Sequence, residues 1–437
     1  MSIQKQKESL QQAKRLIEFI DQSPSPFHVV ANSMNLLKNE GYEELSLERL
    51  WKIRPGGKYY ISRHSALFAF QVGSGQAEEH GIRLISSHSD SPCFKVKPSC
   101  EMSAEGYYRK INTEVYGGPI LSTWMDRPLS LAGRVLIKSG DPLWPVQKLV
   151  NIDRPTLVIP NMAIHFNRSV NEGFEFNKQI DMLPLAGISD NATDKDDWLT
   201  GLLAEDLEIA PSSIIDYDLF VYPYEAGCIL GLNDEFISSP RLDNLAMVHA
   251  SLTALCSAKP TGFTQMICIF DNEEVGSVSK QGAGAPILKH VVERLMHKLD
   301  KNQEELQMAI YKSFMISADM AHSVHPNHPE KHDPVLHPHM NNGPVIKIHA
   351  GQKYTSDGDS AAVYATICET AGVPFQKFVN RSDMAGGSTL GNISTSQLDI
   401  RTVDVGNPML AMHSAREIAG TMDHLWIIES FDAFFAE

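Results

Sequence analysis

The sequence lacks the features of a protein whose main partner is a nucleic acid or a membrane. Its 437 residues carry a net charge of -15 and contain no tract rich in lysine and arginine. Electrostatic binding to nucleic acid or to an anionic membrane surface usually needs such a basic patch, so we expect neither partner. The sequence also has no run of 18 apolar residues, so no membrane-spanning helix is predicted.

Cysteine is scarce and scattered, with six residues and no Cys-x-x-Cys pair. This usage is typical of reduced thiols in the cytoplasm and not of a disulfide-stapled secreted domain. The first residues lead into an amphipathic segment at Gln6–Ile20 and not into an apolar signal core. We therefore expect a cytoplasmic protein. The cysteines are Cys93, Cys100, Cys228, Cys256, Cys268 and Cys368.

Three common catalytic motifs are also missing: the His-Glu-x-x-His zinc helix, the phosphate-binding loop and the Gly-x-Ser-x-Gly nucleophile elbow. Gly386–Gly391 resembles the elbow, but its last glycine falls one residue late. The segment from His322 to His339 contains six histidines, which could form a metal-binding tract. Its prolines favour an ordinary loop.

The sequence does contain an apolar strand that ends in a cluster of carboxylates. Ile267–Phe270 has the composition of a buried strand and is followed by Asp271, Glu273 and Glu274. In open α/β sheets, ligands bind outside the carboxyl ends of the strands. One glutamate could hold a metal while its neighbour transfers protons. The alternative is that the acidic cluster forms the first turn of a helix. The sequence assigns no role to Asp271.

Two other predicted strands end in the same way. Leu84–Ser87 is followed by His88 and Asp90, and Phe314–Ser317 is followed by Asp319. The carboxyl ends of parallel strands share one edge of a sheet, so these side chains could converge with the glutamates.

Two further candidates, Asp243 and His413, are predicted at helix starts, where a helix cap or an ordinary polar residue is the alternative. With one glutamate kept for proton transfer, the metal-binding candidates provide two imidazoles and three carboxylates, which suit zinc, cobalt or manganese. They are His88, His413, Asp243, Asp319 and the other glutamate. If one carboxylate bridges, five ligands serve two ions and leave positions open for water and substrate. A water between two such ions is acidic enough to be a nucleophile near neutral pH.

The pattern of residues 93–232 differs from that of the rest of the chain. Short apolar runs separated by Gly, Pro, Asn and Asp predict a β-rich insert there. Beyond residue 233, strands alternate with helices, which is typical of a mainly parallel sheet covered by helices. We predict an α/β fold in which a catalytic domain, residues 1–92 and 233–437, is interrupted by this insert. The last predicted helix includes Ala415–Ala419.

Five segments in this order resemble the aspartyl aminopeptidase family of dinuclear zinc exopeptidases. The resemblance extends from residue 23 nearly to the C-terminus, and the five motifs together make it specific. The segments are His88–Cys93, Pro240–Asn244, Asp271–Ser277, Ser317–His322 and Leu410–Ser414.

The resemblance implies a role for each candidate ligand. One zinc site would comprise His88, Asp243 and Asp319. The second would comprise Asp243, Glu274 and His413, so that Asp243 bridges two zinc ions. Cobalt or manganese could replace zinc at such ligands.

The resemblance also implies which residues transfer protons, orient a ligand and stabilise the oxyanion. Glu273 would act as general base and then as general acid. Asp90 would orient His88, because metal-bound imidazoles usually need a partner on the other ring nitrogen. His165 resembles a histidine that reaches the partner subunit's active site and stabilises the oxyanion. The alternative for His165 is a surface histidine.

Substrate contacts are implied for His322, Lys347 and Tyr354. Lys347 could pair with an acidic side chain at the first residue of the substrate, and Tyr354 could hydrogen-bond nearby. A loop histidine and a solvated lysine are the alternatives for His322 and Lys347. Lys353 stands where the family often has arginine. Two carboxylates just downstream would repel an acidic substrate if they faced the pocket; they are Asp357 and Asp359.

The resemblance implies a zinc-dependent aminopeptidase that removes N-terminal residues, Asp or Glu above all, from peptides. It further implies a metallopeptidase domain, dimerisation through the β-rich insert, and assembly of the dimers into dodecamers. The alternatives are a broad-specificity dinuclear aminopeptidase, an amidohydrolase of N-acyl amino acids, and a non-catalytic scaffold or cargo particle.

Overall fold

The computed structural model describes residues 3–189 and 197–437. The chain forms two compact units, of which the first comprises Met1–Asp90, Gly227–Met412 and Glu417–Glu437. The second comprises Ser91–Ala226 and the short segment His413–Arg416. The sequence predicted an insert at 93–232 and placed 413–416 in the other domain.

The described residues contain ten α-helices, and none of them is both long and apolar enough to cross a membrane. The helices are α1 Ile3–Asp21, α2 Pro26–Asn39, α3 Ala77–His80, α4 Trp198–Asp206, α5 Leu242–Ser257, α6 Ile287–Lys298, α7 Gln303–Lys312, α8 Gly358–Ala371, α9 Leu390–Gln397 and α10 Thr421–Phe434.

The described residues, 3–189 and 197–437, also contain twenty strands, which form three sheets. The strands are β1 Glu43–Glu44, β2 Lys58–Arg63, β3 Ala66–Gln71, β4 Ile82–His88, β5 Cys93–Ala104, β6 Tyr108–Tyr116, β7 Leu129–Ile137, β8 Val146–Asn151, β9 Leu185–Ile188, β10 Ile214–Pro223, β11 Cys228–Leu230, β12 Phe236–Ser239, β13 Thr264–Phe270, β14 Phe314–Ala318, β15 Ala321–His322, β16 Val345–Lys347, β17 Gln376–Phe378, β18 Arg401–Gly406, β19 Pro408–Leu410 and β20 Glu417–Gly420.

The largest sheet has nine strands in the order β1-β2-β3-β13-β4-β14-β18-β16-β17. Its centre is parallel, since β13 and β14 both pair in parallel with β4, and β18 pairs in parallel with β14. Antiparallel pairs join β3 to β13 and β16 to β18. The predicted α/β fold with a mainly parallel, mixed sheet is confirmed.

Apolar side chains cover both faces of this sheet, which explains why its central strands are continuously hydrophobic. Along β13, Ile267 and Ile269 belong to a core shared with α1, α5 and α10. The alternate residues Met266, Cys268 and Phe270 belong to a second core shared with α6 and α7. Each large side chain that is fully buried in this way stabilises the fold by about 1.5–3 kcal/mol. The strand ends are therefore held on a rigid support.

A five-stranded sheet in the first unit, ordered β11-β12-β20-β19-β15, corrects one prediction. Residues 415–419 were predicted to be helical, but Glu417–Gly420 forms β20 between β12 and β19. The last helix, α10, begins only at Thr421. Arg, Glu and Ala favour helices, but pairing with two neighbouring strands overrides this weak preference.

The second unit is built on a six-stranded sheet in the order β8-β7-β10-β5-β6-β9, in which each pair is antiparallel. Its apolar face packs around Phe94, Trp124 and Leu131. The short apolar run Thr156–Ile159 makes isolated bridges, for example between Leu157 and Leu129. The β-rich character expected for this part of the chain is therefore present.

Candidate metal centre

The candidate ligands lie where three adjacent parallel strands end. His88 is the last residue of β4 and stands in register with Phe270, the last residue of β13. On the other side, β14 pairs with β4 and is followed directly by Asp319. The strand order thus brings together side chains that are more than 200 positions apart in the sequence.

The spacing of these side chains suits a metal. The Nε2 atom of His88 lies 3.6 Å from Oδ1 of Asp243 and 3.6 Å from Oδ1 of Asp319. These distances are too long for hydrogen bonds, but two donors on one tetrahedral zinc, with bonds of about 2.1 Å, stand about 3.4 Å apart. Donor atoms of His88, Asp243 and Glu274 all lie within 4.8 Å of one another. No other group of three such residues converges in ranges 3–189 and 197–437.

Asp243 reaches this centre because the start of α5 is irregular. The backbone of Asp243 is not helical, with φ of -80° and ψ of 105°, and Arg241 before it adopts the left-handed region. The amide of Asp243 donates to the Glu417 carboxylate at 3.0 Å, and the Asn244 side chain donates to the Ala318 carbonyl at 2.9 Å. The helix start is therefore tied to β20 and to the end of β14.

Asp90 links two of the loops that carry the site. Its carboxylate oxygens accept the amide hydrogens of Glu273 and Glu274, each at 3.1 Å. The Nδ1 atom of His88 lies 3.1 Å from the backbone carbonyl of Asp90 and 3.4 Å from its Oδ1. The backbone of Asp90 thus orients the imidazole, while its side chain fixes the turn that bears the glutamates.

Asp271, to which the sequence assigned no role, anchors the same turn from the other side. Its side chain is buried, accepts a hydrogen bond from the Ser65 hydroxyl and accepts the Asn272 amide at 2.7 Å. Burial, followed by the Asp90 carboxylate, raises the pKa of Asp271 to about 7. Ser65 lies between β2 and β3, so a neighbouring hairpin supports the turn.

The charge balance of the centre favours a cation. Burial raises the pKa of Glu273 to about 8; Asp319, Asp90 and Asp243 add to this rise, and His88 opposes it. Although burial lowers it, the neighbouring carboxylates of Asp319, Asp90 and Glu273 raise the pKa of His88 well above its ordinary value. Closely packed carboxylates of this kind bind protons or a metal ion more tightly than isolated ones do.

Lys347 contacts this centre directly and is buried, with 3% of its surface exposed. Its ammonium donates to Oδ2 of Asp319 at 3.2 Å and to the Met320 carbonyl at 3.1 Å. The same group lies 5.5 Å from the ring centre of Tyr354. The alternative of a solvated surface lysine is therefore wrong. One of the three ammonium hydrogens has no acceptor in the described part of the chain.

The charged residues that follow Lys347 in the sequence have partners of their own. Lys353 donates to the Gly386 carbonyl at 2.6 Å. Asp357 caps α8 by accepting the Ser360 amide at 2.8 Å, and Asp359 forms an ion pair with Arg401. Both carboxylates are therefore held by other groups and do not repel an acidic ligand at Lys347.

His322 and the histidines that follow it do not form a metal site among the described residues. His322 is exposed, and its ring packs edge-on against Phe378 with centroids 5.7 Å apart. His328 lies in the predicted loop and contacts Glu330 at 3.2 Å. The loop interpretation of this segment agrees with the structure.

Two predicted site residues belong to the second unit. His165 is exposed on a turn. His413 was predicted at a helix start but lies in the connection between β19 and β20, with φ of +68°. Its Nδ1 atom stands 3.1 Å from the Gly118 carbonyl. A carbonyl at Nδ1 fixes the tautomer in which Nε2 can coordinate a metal.

Sequence reasoning missed three buried polar residues that support the site, namely Ser65, Asp404 and Glu417. Asp404 lies two residues before the end of β18, so the strand-end pattern used for the other residues could have found it. Ser65 and Glu417 have no comparable signal, because their roles depend on contacts made across the fold.

Comparison with known proteins identifies the family. The chain matches the model for aminopeptidase I zinc metalloproteases (M18) over residues 19–435. This chain belongs to the M18 family. It is therefore a metallo-aminopeptidase, a hydrolase that acts on peptide bonds, and the resemblance seen in the sequence is confirmed.

Relatives of this M18 aminopeptidase match it over nearly its full length. A probable M18 family aminopeptidase 2 of Clostridium acetobutylicum is 53% identical over 430 residues, or 98% of this chain and 99% of the relative. A chain in a cryo-EM structure of the Ape4 and Nbr1 complex has a TM-score of 0.93 at 36% identity, covering 98% of this chain and 86% of that one. The S. cerevisiae mApe1 dodecamer gives 0.83 at 27%, with coverage of 97% and 96%.

Proposed function

We propose that this M18 aminopeptidase holds two zinc ions and removes N-terminal aspartate or glutamate from peptides. The observation that carries the proposal is the convergence of His88, Asp243 and Glu274 within 4.8 Å, next to Glu273. Imidazole and carboxylate donors without cysteine are those of catalytic zinc sites, which keep a position open for water or substrate. The two ligand sets are His88, Asp243 and Asp319, and Asp243, Glu274 and His413.

The chain's own residues account for proton transfer in this proposal. Zinc at these ligands would supply Lewis acidity and lower the pKa of the attacking water. Glu273 takes the proton of that water and delivers it to the amine that leaves when the peptide bond breaks. The carboxylate of Asp90 holds Glu273 in position by accepting the backbone amide hydrogen of Glu273. His165 of a second subunit would donate to the developing oxyanion.

Lys347 supports the preference for an acidic first residue. It presents a buried positive charge beside the proposed metal ligand Asp319, with one hydrogen left for a substrate carboxylate. The ring of Tyr354 lies 5.5 Å from its ammonium group, and the carboxylates of Asp357 and Asp359 are engaged elsewhere. A charge-assisted hydrogen bond of this kind contributes about 1.5–3 kcal/mol. His322 would line the outer, exposed part of the same pocket.

We also propose that the protein is a cytoplasmic homo-oligomer in which dimers, formed through residues 93–232, build a dodecamer. The dodecameric relative that matches 97% of this chain supports the assembly. The six cysteines are scattered along the sequence without a Cys-x-x-Cys pair, which agrees with a reducing compartment.

The decisive experiment compares N-terminal Asp, Glu, Leu and Lys substrates, together with N-acyl amino acids, before and after chelation. We expect Asp and Glu to be cleaved fastest and all cleavage to cease without metal. Glu273→Gln should retain its zinc and lose about 10²–10⁴-fold in kcat, the usual contribution of a general base.

The control is Glu304→Gln, which changes an exposed carboxylate on α7 and should behave as the unmodified protein does. Unchanged peptide cleavage in Glu273→Gln would remove Glu273 from its role. Cleavage of N-acyl amino acids alone would refute the proposed substrate class.

A further inference from the structure

Asp404 is a buried carboxylate that the reaction does not use. It lies in β18, opposite Ser317 of the neighbouring strand β14, and none of its surface is exposed. Its Oδ2 atom accepts the amide and the hydroxyl of Thr355, at 2.5 and 2.8 Å. Its Oδ1 atom accepts the hydroxyl of Thr389 at 2.8 Å. A single side chain thus joins two segments that are 34 positions apart.

The first of these segments carries residues of the proposed substrate pocket. Thr355 follows Tyr354, whose ring faces the Lys347 ammonium at 5.5 Å. Ser356 completes the attachment by accepting the Asp404 amide at 2.8 Å. The carboxylate also acts on Lys347 itself: although burial opposes it, Asp319 and then Asp404 raise the pKa of that ammonium.

The second segment, Gly386–Thr389, leads into α9. Thr389 occupies the position of a helix cap but makes no capping hydrogen bond with its side chain, because its hydroxyl points to Asp404. The two segments also touch independently of Asp404, through the bond from Lys353 to the Gly386 carbonyl at 2.6 Å. A threonine at this position ordinarily caps the helix. Thr389 instead donates its hydroxyl hydrogen to Asp404.

The surroundings of the carboxylate leave no room for it to move. A Cβ atom added to Gly391 would lie 2.9 Å from Oδ1 of Asp404 and 2.7 Å from Oγ of Ser317. Real Cβ contacts are not that short, so an alanine there would displace the carboxylate. The position of Asp404 is therefore set by packing as well as by hydrogen bonds.

We propose that Asp404 is a positioning residue that fixes the Tyr354 side of the substrate pocket relative to Lys347 and so sets the affinity for the first side chain of the substrate. The proposal deepens the proposed function and rests on it for the identity of the pocket. It assigns to Asp404 no contact with the reacting atoms and none with the metal.

The test measures kcat and KM of Asp404→Asn on the best substrate of the panel and on its Leu counterpart. An amide has one oxygen and one NH₂ group, so it can satisfy the donors on only one side. Because the lost hydrogen bonds were to a charged group and are stronger than neutral ones, we expect KM for the best substrate to rise about tenfold or more. We expect kcat to change less than about threefold, with zinc content unchanged and a smaller effect on the Leu substrate.

Matched pairs of variants test each side of the contact. Thr389→Val removes the hydroxyl and should raise KM, whereas Thr389→Ser keeps it and should restore the normal value. Gly391→Ala should act as Thr389→Val does. Gly387→Ala is its control, because nothing lies within 4 Å of the added methyl group.

The proposal is overturned if Asp404→Asn leaves KM unchanged, or if kcat and zinc content fall while KM does not change. A purely structural role would lower the melting temperature and affect both substrates equally, which would also overturn it. If Asp404→Asn does not fold, the Thr389 pair decides in the same way. A wild-type enzyme that prefers non-acidic residues would refute the acidic specificity alone, since KM on its best substrate still tests Asp404.

Discussion

A buried histidine pair predicts a loss of stability in mild acid. His249 on α5 and His424 on α10 are buried, and their Nδ1 and Nε2 atoms lie 3.0 Å apart. Burial, assisted by the charge of Arg15, lowers the pKa of His249 to about 4. Burial and then His249 lower the pKa of His424 well below its ordinary value. Both rings therefore bind protons less readily in the folded protein than in the unfolded chain, where a histidine is protonated below about pH 6.5.

The sign and size of the effect follow from proton linkage. Because acid protonates these histidines in the unfolded chain first, their contribution to the free energy of unfolding is largest above pH 6.5 and falls as the pH drops towards 4. For His249 alone, each pH unit in that window costs about 1.4 kcal/mol, so the loss is about 2 kcal/mol at pH 5 and about 3 kcal/mol at pH 4. His424 adds a loss in the same direction.

The assay is urea unfolding of chelator-treated protein at pH 7.5 and at pH 5.0, at one fixed protein concentration. The double variant His249→Asn, His424→Gln keeps polar atoms near the positions of the bonded nitrogens but does not titrate. We expect the wild type to lose at least about 2 kcal/mol more than the variant between the two pH values. The exposed His290→Gln is the control and should follow the wild type. Equal losses in wild type and double variant would refute the reasoning.

Three further predictions concern the site. Asp90→Asn places an NH₂ group against one of two backbone donors, the amides of Glu273 and Glu274. We expect zinc affinity, measured by competition titration, to fall about 10–100-fold. A retained affinity would contradict the role of Asp90 in positioning the ligands. Lys347→Met should lower the ratio of kcat/KM for Asp over Leu substrates by about 10–100-fold, and an unchanged ratio would contradict the specificity proposal. The same change should destabilise the metal-free protein, because the buried carboxylate of Asp319 loses its ammonium partner. Ser65→Ala removes the hydroxyl bound to Asp271 and should lower the free energy of unfolding by about 1–3 kcal/mol, whereas Ser74→Ala, on an exposed loop, should have no measurable effect in the same denaturation assay.

The parallel centre of the sheet and the convergence of strand ends were predictable because both depend on local patterns. A buried parallel strand must be apolar along its whole length, so polar residues directly after β4, β13 and β14 stand out. The adjacency of those three strands then follows from the sheet order. This is why His88, Glu274 and Asp319 could be grouped without a structure.

The remaining features depend on contacts that no local pattern records. The segment at 415–419 has helix-favouring residues, but β12 and β19 supply hydrogen-bonding partners that override them. Asp271 looked like a spare carboxylate until Ser65, from a distant hairpin, gave it a partner. A solvated lysine stayed the alternative for Lys347, because the sequence alone does not show that the strand carrying it is buried.

The order of strands in the large sheet also constrains when the enzyme can first become active during its synthesis. β4 ends at residue 88, but its two neighbours begin only at residues 264 and 314. At about 5–20 residues per second, the ribosome produces the first of these partners on the order of ten seconds or more after β4. A nascent chain that stops before residue 319 would lack Asp319, so the proposed site of His88, Asp243 and Asp319 could be completed only late in synthesis.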